Sequence, residues 1–217
     1  PPTLEDSTLS IEENSPDDTA VGAPLVAKDD DLKRCSGGTC TDSTIASCTG
    51  ACQALDYQIK SQSPCLDPST ADPAACFAFK VDRCAGQISV SVSHLVGKPL
   101  DFESQNKYTV VITVTDDGRP SKLSDDATIT INLIDINEPP TIAPQSRIIA
   151  ENLFDANIGA KLTSSDVDGT GASSALSIAG KWSAHTYAIV SGNTANLFAI
   201  DSATGQLSIK SAPLNFE

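Results

Sequence analysis

The hydrophobic positions of this chain fall into short alternating runs. Tyr108–Thr115 is the clearest of them. Tyr108, Val110, Ile112 and Val114 point one way, and Thr109, Val111, Thr113 and Thr115 the other. Strict period-two alternation predicts a half-buried strand, and β-branched residues suit a pleated surface. A second run, Ala127–Ile134, places Ala127, Ile129, Ile131 and Leu133 on one side. The residues Asp117-Gly118-Arg119-Pro120 between the two runs carry turn chemistry and predict a hairpin. Earlier, Thr8–Glu13 and Val21–Ala27 form the first two predicted strands, separated by a turn around Pro16-Asp17-Asp18. Leu55–Ile59, Phe77–Val81 and Gln87–Val92 are the third, fourth and fifth. No long helical period is found, and no stretch approaches the ~18 consecutive apolar residues of a spanning helix.

Strands patterned this way predict an all-β fold, an antiparallel Greek-key sandwich of immunoglobulin-type architecture. The run Ala127–Leu133 ends in Leu133–Pro140, L-I-D-I-N-E-P-P. Asp135, Asn137 and Glu138 set three oxygen-bearing side chains within four residues, and Pro139-Pro140 then stops the strand by fixing φ and removing donors. The sequence repeats itself across this point. Pro1-Pro2-Thr3 matches Pro139-Pro140-Thr141, and Glu13-Asn14 matches Glu151-Asn152. Asp29-x-Asp31 matches Asp166-x-Asp168, and Tyr57-x-Ile59 matches Tyr187-x-Ile189. Phe79-Lys80-Val81-Asp82 with Gly86-Gln87-Ile88 corresponds to Phe198-Ala199-Ile200-Asp201 with Gly205-Gln206-Leu207, and Leu100–Glu103 to Leu214–Glu217. Correspondences in one order predict tandem modules, residues 1–138 and 139–217. The second keeps five comparable strands and lacks the last two of the sandwich, which are expected beyond Glu217.

The ordered motifs E-N, A-x-D-x-D (Ala27–Asp31), F-x-V-D-x4-G-x-I, L-D-F-E, T-D-D-G and D-I-N-E-P-P resemble a cadherin repeat. The second module repeats E-N, D-V-D-G, F-A-I-D-S-A-T-G-Q-L and L-N-F-E. The resemblance covers nearly all of the chain except two loop insertions, about 32–54 and Gly169–His185. It implies tandem cadherin-like sandwiches, the second incomplete at its C-terminus, within a longer protein. It also implies that Glu13, Asp101, Glu103, Asp135, Glu138, Asp166 and Asp168 converge on the junction between the modules. Asn137 and the backbone carbonyl of Ile136 would add neutral oxygens. Asp29, Asp31 and Asp116 would form half of another such junction, completed by a preceding module. Glu138 and Pro139 depart from the family's commoner aspartate and asparagine.

Seven gathered carboxylates would repel one another, at ~4 kcal/mol per pair of unit charges ~4 Å apart near a protein surface. Calcium, a hard cation taking roughly 6–8 oxygens in flexible geometry, would relieve that repulsion, whereas magnesium demands a stricter octahedron. The charge is concentrated in the first module. Residues 1–138 hold 22 acidic against 10 basic side chains, net −12, and the remainder 6 against 4, net −2. This balance opposes nucleic-acid binding.

The first insertion is rich in Cys, Gly, Ser and Thr and has little apolar periodicity. All seven cysteines (Cys35, Cys40, Cys48, Cys52, Cys65, Cys76 and Cys84) fall between residues 35 and 84. Disulfides in an oxidising compartment are expected, with Cys48-x3-Cys52 as a zinc half-site the alternative. Catalysis is not expected. The two histidines, His94 and His185, stand in different modules without a nucleophile-elbow or metalloprotease context. Trp182, in a Gly/Ser loop, is a packing residue or a sugar-stacking platform. The chain is therefore expected to be a calcium-stiffened extracellular or cell-surface module for adhesion or fibre formation. Its expected partners are neighbouring repeats and other protein chains, homophilic or heterophilic, with any membrane anchor outside the segment. The alternatives are a receptor ectodomain segment, or a noncatalytic spacer in a secreted carbohydrate-active enzyme.

Overall fold

The computed structural model describes residues 1–30, 55–65, 77–91, 100–118, 121–153, 155–168, 182, 184–210 and 214. The chain divides into two compact units, Pro1–Ile136 and Asn137–Glu217. In the first, six strands are described: β1 (Ser7–Glu12), β2 (Leu55–Ser63), β3 (Phe79–Val81), β4 (Ile88–Val90), β5 (Lys107–Asp116) and β6 (Ser124–Ile134). One sheet runs β1-β6-β5-β2 and the other pairs β3 with β4. β5 and β6 form the predicted antiparallel hairpin, and β2 pairs antiparallel with β5. β1 lies parallel to β6, with Ser7 opposite Ile129 and Glu12 opposite Ile134.

The alternation in the sequence is the cause of this arrangement. Val110, Ile112 and Val114 of β5 and Ile129 and Ile131 of β6 are fully buried, with Tyr108 almost so. They share a core with Phe79, Ile88 and Val90 of the opposite sheet, and the Phe79 and Tyr108 rings meet edge to face at 5.3 Å and 82°. Burying each such aliphatic side chain contributes roughly 1.5–3 kcal/mol, so slipping β5 by one residue would forfeit the whole face.

One predicted strand does not form as such. Val21–Ala27 touches the smaller sheet at separate points: Val21 N–H donates to Ile88 O (2.9 Å) and Leu25 N–H to Gly86 O (3.0 Å). Gly22, at φ 63°, turns the chain between them, and Pro24 supplies no donor. In the second unit two strands are described, β7 (Phe198–Ile200) and β8 (Leu207–Ile209), paired antiparallel, where five had been expected. Among the described residues no strand lies between 145–150 and 185–190, the segments that correspond to β1 and β2. Among the described residues no strand is paired with those segments.

The hydrogen-bond frame nevertheless repeats. Tyr57 N–H donates to Arg83 O and Tyr187 N–H to Ser202 O; Leu25 N–H donates to Gly86 O and Leu162 N–H to Gly205 O. Asn14 N–H donates to Leu100 O as Asn152 N–H does to Leu214 O. Asp82 caps its turn by accepting from the backbone of Ala85 and Cys84, which holds its carboxyl below the ordinary value; Asp201 does the same for Thr204, side chain and backbone. Both turns end on a glycine at positive φ, Gly86 (66°) and Gly205 (68°). A Cβ there would stand 3.2 Å from the Tyr57 ring and 3.1 Å from the Tyr187 ring. The internal repeat is thus a repeat of packing as well as of letters.

Candidate metal centre

The parallel register of β1 and β6 brings their ends level. Glu13 follows β1 and Asp135 follows β6, and Glu13 N–H donates to Ile134 O (3.1 Å). Glu13 is buried, and its two carboxylate oxygens are held separately: Oε2 accepts from Phe102 N–H (2.8 Å) and Oε1 from Ile136 N–H (2.9 Å). The turn that supplies Phe102 also supplies Glu103. Glu13, Glu103 and Asp135 each bring one carboxylate oxygen to within 4.8 Å of the others. At an effective dielectric of ~20, unit charges at that separation repel by roughly 3–4 kcal/mol per pair, which folding must offset or a cation must relieve.

Asp101 is not part of this group. Its carboxylate accepts from the Ser104 N–H and hydroxyl, both at 2.8 Å, so it caps the turn and lies exposed. Ile136 serves through its N–H, given to Glu13. In the second unit Asn137 is exposed, and Glu138 N–H donates to Asp168 Oδ2 at 2.6 Å. Asp168 is 2 % exposed, and its other oxygen, Oδ1, is buried with no hydrogen-bond partner among the described residues. A carboxylate oxygen left so is costly in the absence of a counter-ion. Asp166 Oδ1 accepts from Asp168 N–H (3.0 Å). At the other end of the first unit, Asp29 and Asp116 are buried, and Asp116 Oδ1 accepts from Gly118 N–H (3.0 Å) and Leu123 N–H (2.8 Å). Asp31 and His94 lie outside the described residues, as do both insertions apart from a few residues that include Trp182 and His185.

Each of these groups fits a hard divalent cation by its chemistry. The donors are charged oxygens, and backbone N–H groups already hold Glu13, Asp116, Asp166 and Asp168 in place. Cys65 and Cys84 are disulfide-bonded, in line with an oxidising compartment; the other five cysteines lie outside the described residues. Sequence reasoning missed one cluster. His185 Nδ1 lies 2.6 Å from Ser164 Oγ, which lies 2.8 Å from the Tyr187 hydroxyl, and His185 Nε2 is 3.4 Å from Asp166 Oδ2. Only the fold places His185 beside Asp166.

A β-sandwich unit with acidic groups at its strand ends, followed by a second unit that repeats part of its hydrogen-bond frame, defines a class of modular β-protein. No family model matches the chain. It is 33 % identical to human protocadherin Fat 4 over 130 residues, 59 % of this chain and 2 % of that protein. It is 29 % identical to human cadherin-related family member 2 over 141 residues, 65 % of this chain and 10 % of that protein. The chain thus spans a small part of the curated relatives it matches. Among solved structures, the human desmocollin-1 ectodomain aligns with 99 % of this chain and 34 % of its own, at a TM-score of 0.55 and 24 % identity. Drosophila N-cadherin EC1-4 aligns with 95 % of this chain and 39 % of its own, at 0.58 and 14 % identity. By sequence the chain is similar to these cadherin-related proteins, and its fold is that of the cadherin ectodomains.

Proposed function

We propose that the chain is a calcium-stiffened structural and adhesion module of a longer extracellular or cell-surface protein, and that it has no catalytic role. The observation that carries this reading is the group of Glu13, Glu103 and Asp135, three carboxylates within 4.8 Å. The orphaned Oδ1 of Asp168 supports it independently. In this reading calcium neutralises acids that otherwise repel. Glu13, Asp101, Glu103, Asp135, Ile136 O, Asn137, Glu138, Asp166 and Asp168 are its ligands between successive repeats. Asp29, Asp31 and Asp116 belong to a second set at the opposite end of the first repeat. The joints between residues 1–138 and 139–217, and between these and neighbouring repeats, stiffen when the ion binds. The module then presents a fixed surface to other chains.

Extracellular modules bind calcium at ~10⁻⁴–10⁻³ M, so millimolar calcium should raise the melting temperature and EDTA should lower it. Differential scanning calorimetry and small-angle scattering of the chain with calcium and with EDTA test both stability and stiffness. Melting curves and scattering profiles indifferent to EDTA would overturn the proposal.

A further inference from the structure

Within the second unit, Asp166 and His185 are arranged as a pair of metal donors of mixed type. Asp166 has its Oδ1 occupied by the Asp168 N–H at 3.0 Å, which leaves Oδ2 turned to His185 Nε2, 3.4 Å away. That nitrogen is buried and makes no hydrogen bond among the described residues. The opposite ring nitrogen, Nδ1, is engaged by Ser164 Oγ at 2.6 Å, and Ser164 in turn by the Tyr187 hydroxyl at 2.8 Å. Tyr187 is itself fixed against Gly205, where a Cβ would approach its ring to 3.1 Å. The side chains of Asp166 and His185 are 3 % and 19 % exposed, so neither is free to sweep through solvent.

We infer that Asp166 Oδ2 and His185 Nε2 form a site for a borderline transition-metal ion, best matched by zinc. Zinc sits about 2.0–2.1 Å from an imidazole nitrogen and about 2.0–2.2 Å from a carboxylate oxygen; at a tetrahedral angle this sets the two donors about 3.4 Å apart. The observed 3.4 Å has that value. Nitrogen selects against calcium and magnesium, which take oxygen, and for zinc, copper or nickel. The supporting contacts are those a metal-binding histidine needs. A partner on the far nitrogen fixes ring orientation and tautomer, and a hydrogen bond on the second carboxylate oxygen aims the first. Water or a group from another chain fills the remaining positions. Asp166 is also one of the calcium ligands proposed above, so zinc and calcium compete for it. Occupation by zinc would raise the calcium concentration needed to stabilise the fold.

The test is titration of the whole chain, disulfides intact, with Zn²⁺ alone in calcium-free buffer, followed by calorimetry. His185→Asn should weaken the strongest zinc event at least ~10-fold, and Ser164→Ala by ~10-fold through loss of ring orientation. His94→Ala should leave that event unchanged. Equal affinity in the wild type and His185→Asn would overturn the inference, as would a collapse of binding in His94→Ala. Should His185→Asn fold poorly, Co²⁺ added to the ¹⁵N-labelled wild type decides the matter. Paramagnetic shifts centred on the His185 ring and the amides of Ser164 and Asp166 support the site, and shifts centred elsewhere refute it. Because the titration contains no calcium, its outcome is separate from that of the calcium reading.

Discussion

Two substitutions that each remove one negative charge from the same carboxylate group should act with opposite sign. In Asp135→Asn, a charge within 4.8 Å of two other carboxylates is deleted with almost no change of shape. Each of those contacts is worth roughly 3–4 kcal/mol of repulsion at an effective dielectric of ~20, and solvent and salt leave a gain on the order of 1–2 kcal/mol. In EDTA the variant should therefore melt several degrees higher than the wild type. In calcium the advantage should shrink or reverse, since each tenfold loss of affinity removes ~1.4 kcal/mol of ligand-linked stability. Glu13→Gln is the contrast. Both Glu13 oxygens accept a backbone N–H, at 2.8 and 2.9 Å, so an amide group must set its NH₂ against one of those donors. Losing a charge-assisted bond costs about 1.5–3 kcal/mol, and this variant should melt lower with or without calcium. The assay is a matched set of thermal melts for three proteins in EDTA and in millimolar calcium. An Asp135→Asn variant that melts below the wild type in EDTA would refute the repulsion argument. An unchanged calcium increment would remove Asp135 from the ligands.

Two further outcomes are expected. Burial, with a lesser push from the Asp101 carboxylate, raises the Tyr108 hydroxyl to about 12. The folded pKa lies above that of the unfolded chain, so this contribution, on the order of 2–3 kcal/mol, is complete below pH ~10 and is lost as pH rises towards ~12. Alkaline unfolding followed by circular dichroism should be shifted to higher pH in Tyr108→Phe, and an identical profile would contradict the assignment. Gly86→Ala should destabilise the first unit by ~2–4 kcal/mol, because φ is 66° and the new Cβ would lie 2.8 Å from Leu25 O. A denaturant midpoint equal to that of the wild type would show that the turn relaxes freely.

The elements most legible in the sequence are those whose one face is dry. Tyr108–Thr115 and Ala127–Ile134 could be placed because burial on one side and solvent on the other write period two into the residues. Val21–Ala27 could not, since Gly22 and Pro24 interrupt a segment that touches the sheet only at points. The acid group was legible in part. Glu13 and Asp135 stand at strand ends whose register follows from the β1–β6 pairing. Asp101 belongs to the same motif as Glu103 and also caps its turn by accepting from Ser104, a local role that spacing alone does not reveal. His185 ends an insertion, and spacing alone does not place it beside Asp166.

The parallel pairing of β1 with β6 also determines how the first unit answers a pull. A force drawing Pro1 away from Ile136 tugs β1 from its leading end and β6 from its trailing end. Because the two strands run the same way, they are made to slide lengthwise past each other. The six residue pairs from Ser7–Ile129 to Glu12–Ile134 then share the strain at once, and no pair can open before its neighbours. An antiparallel arrangement loaded at the same termini would instead peel open one rung at a time. Shear across six rungs loads the β1–β6 seam of this unit as a whole.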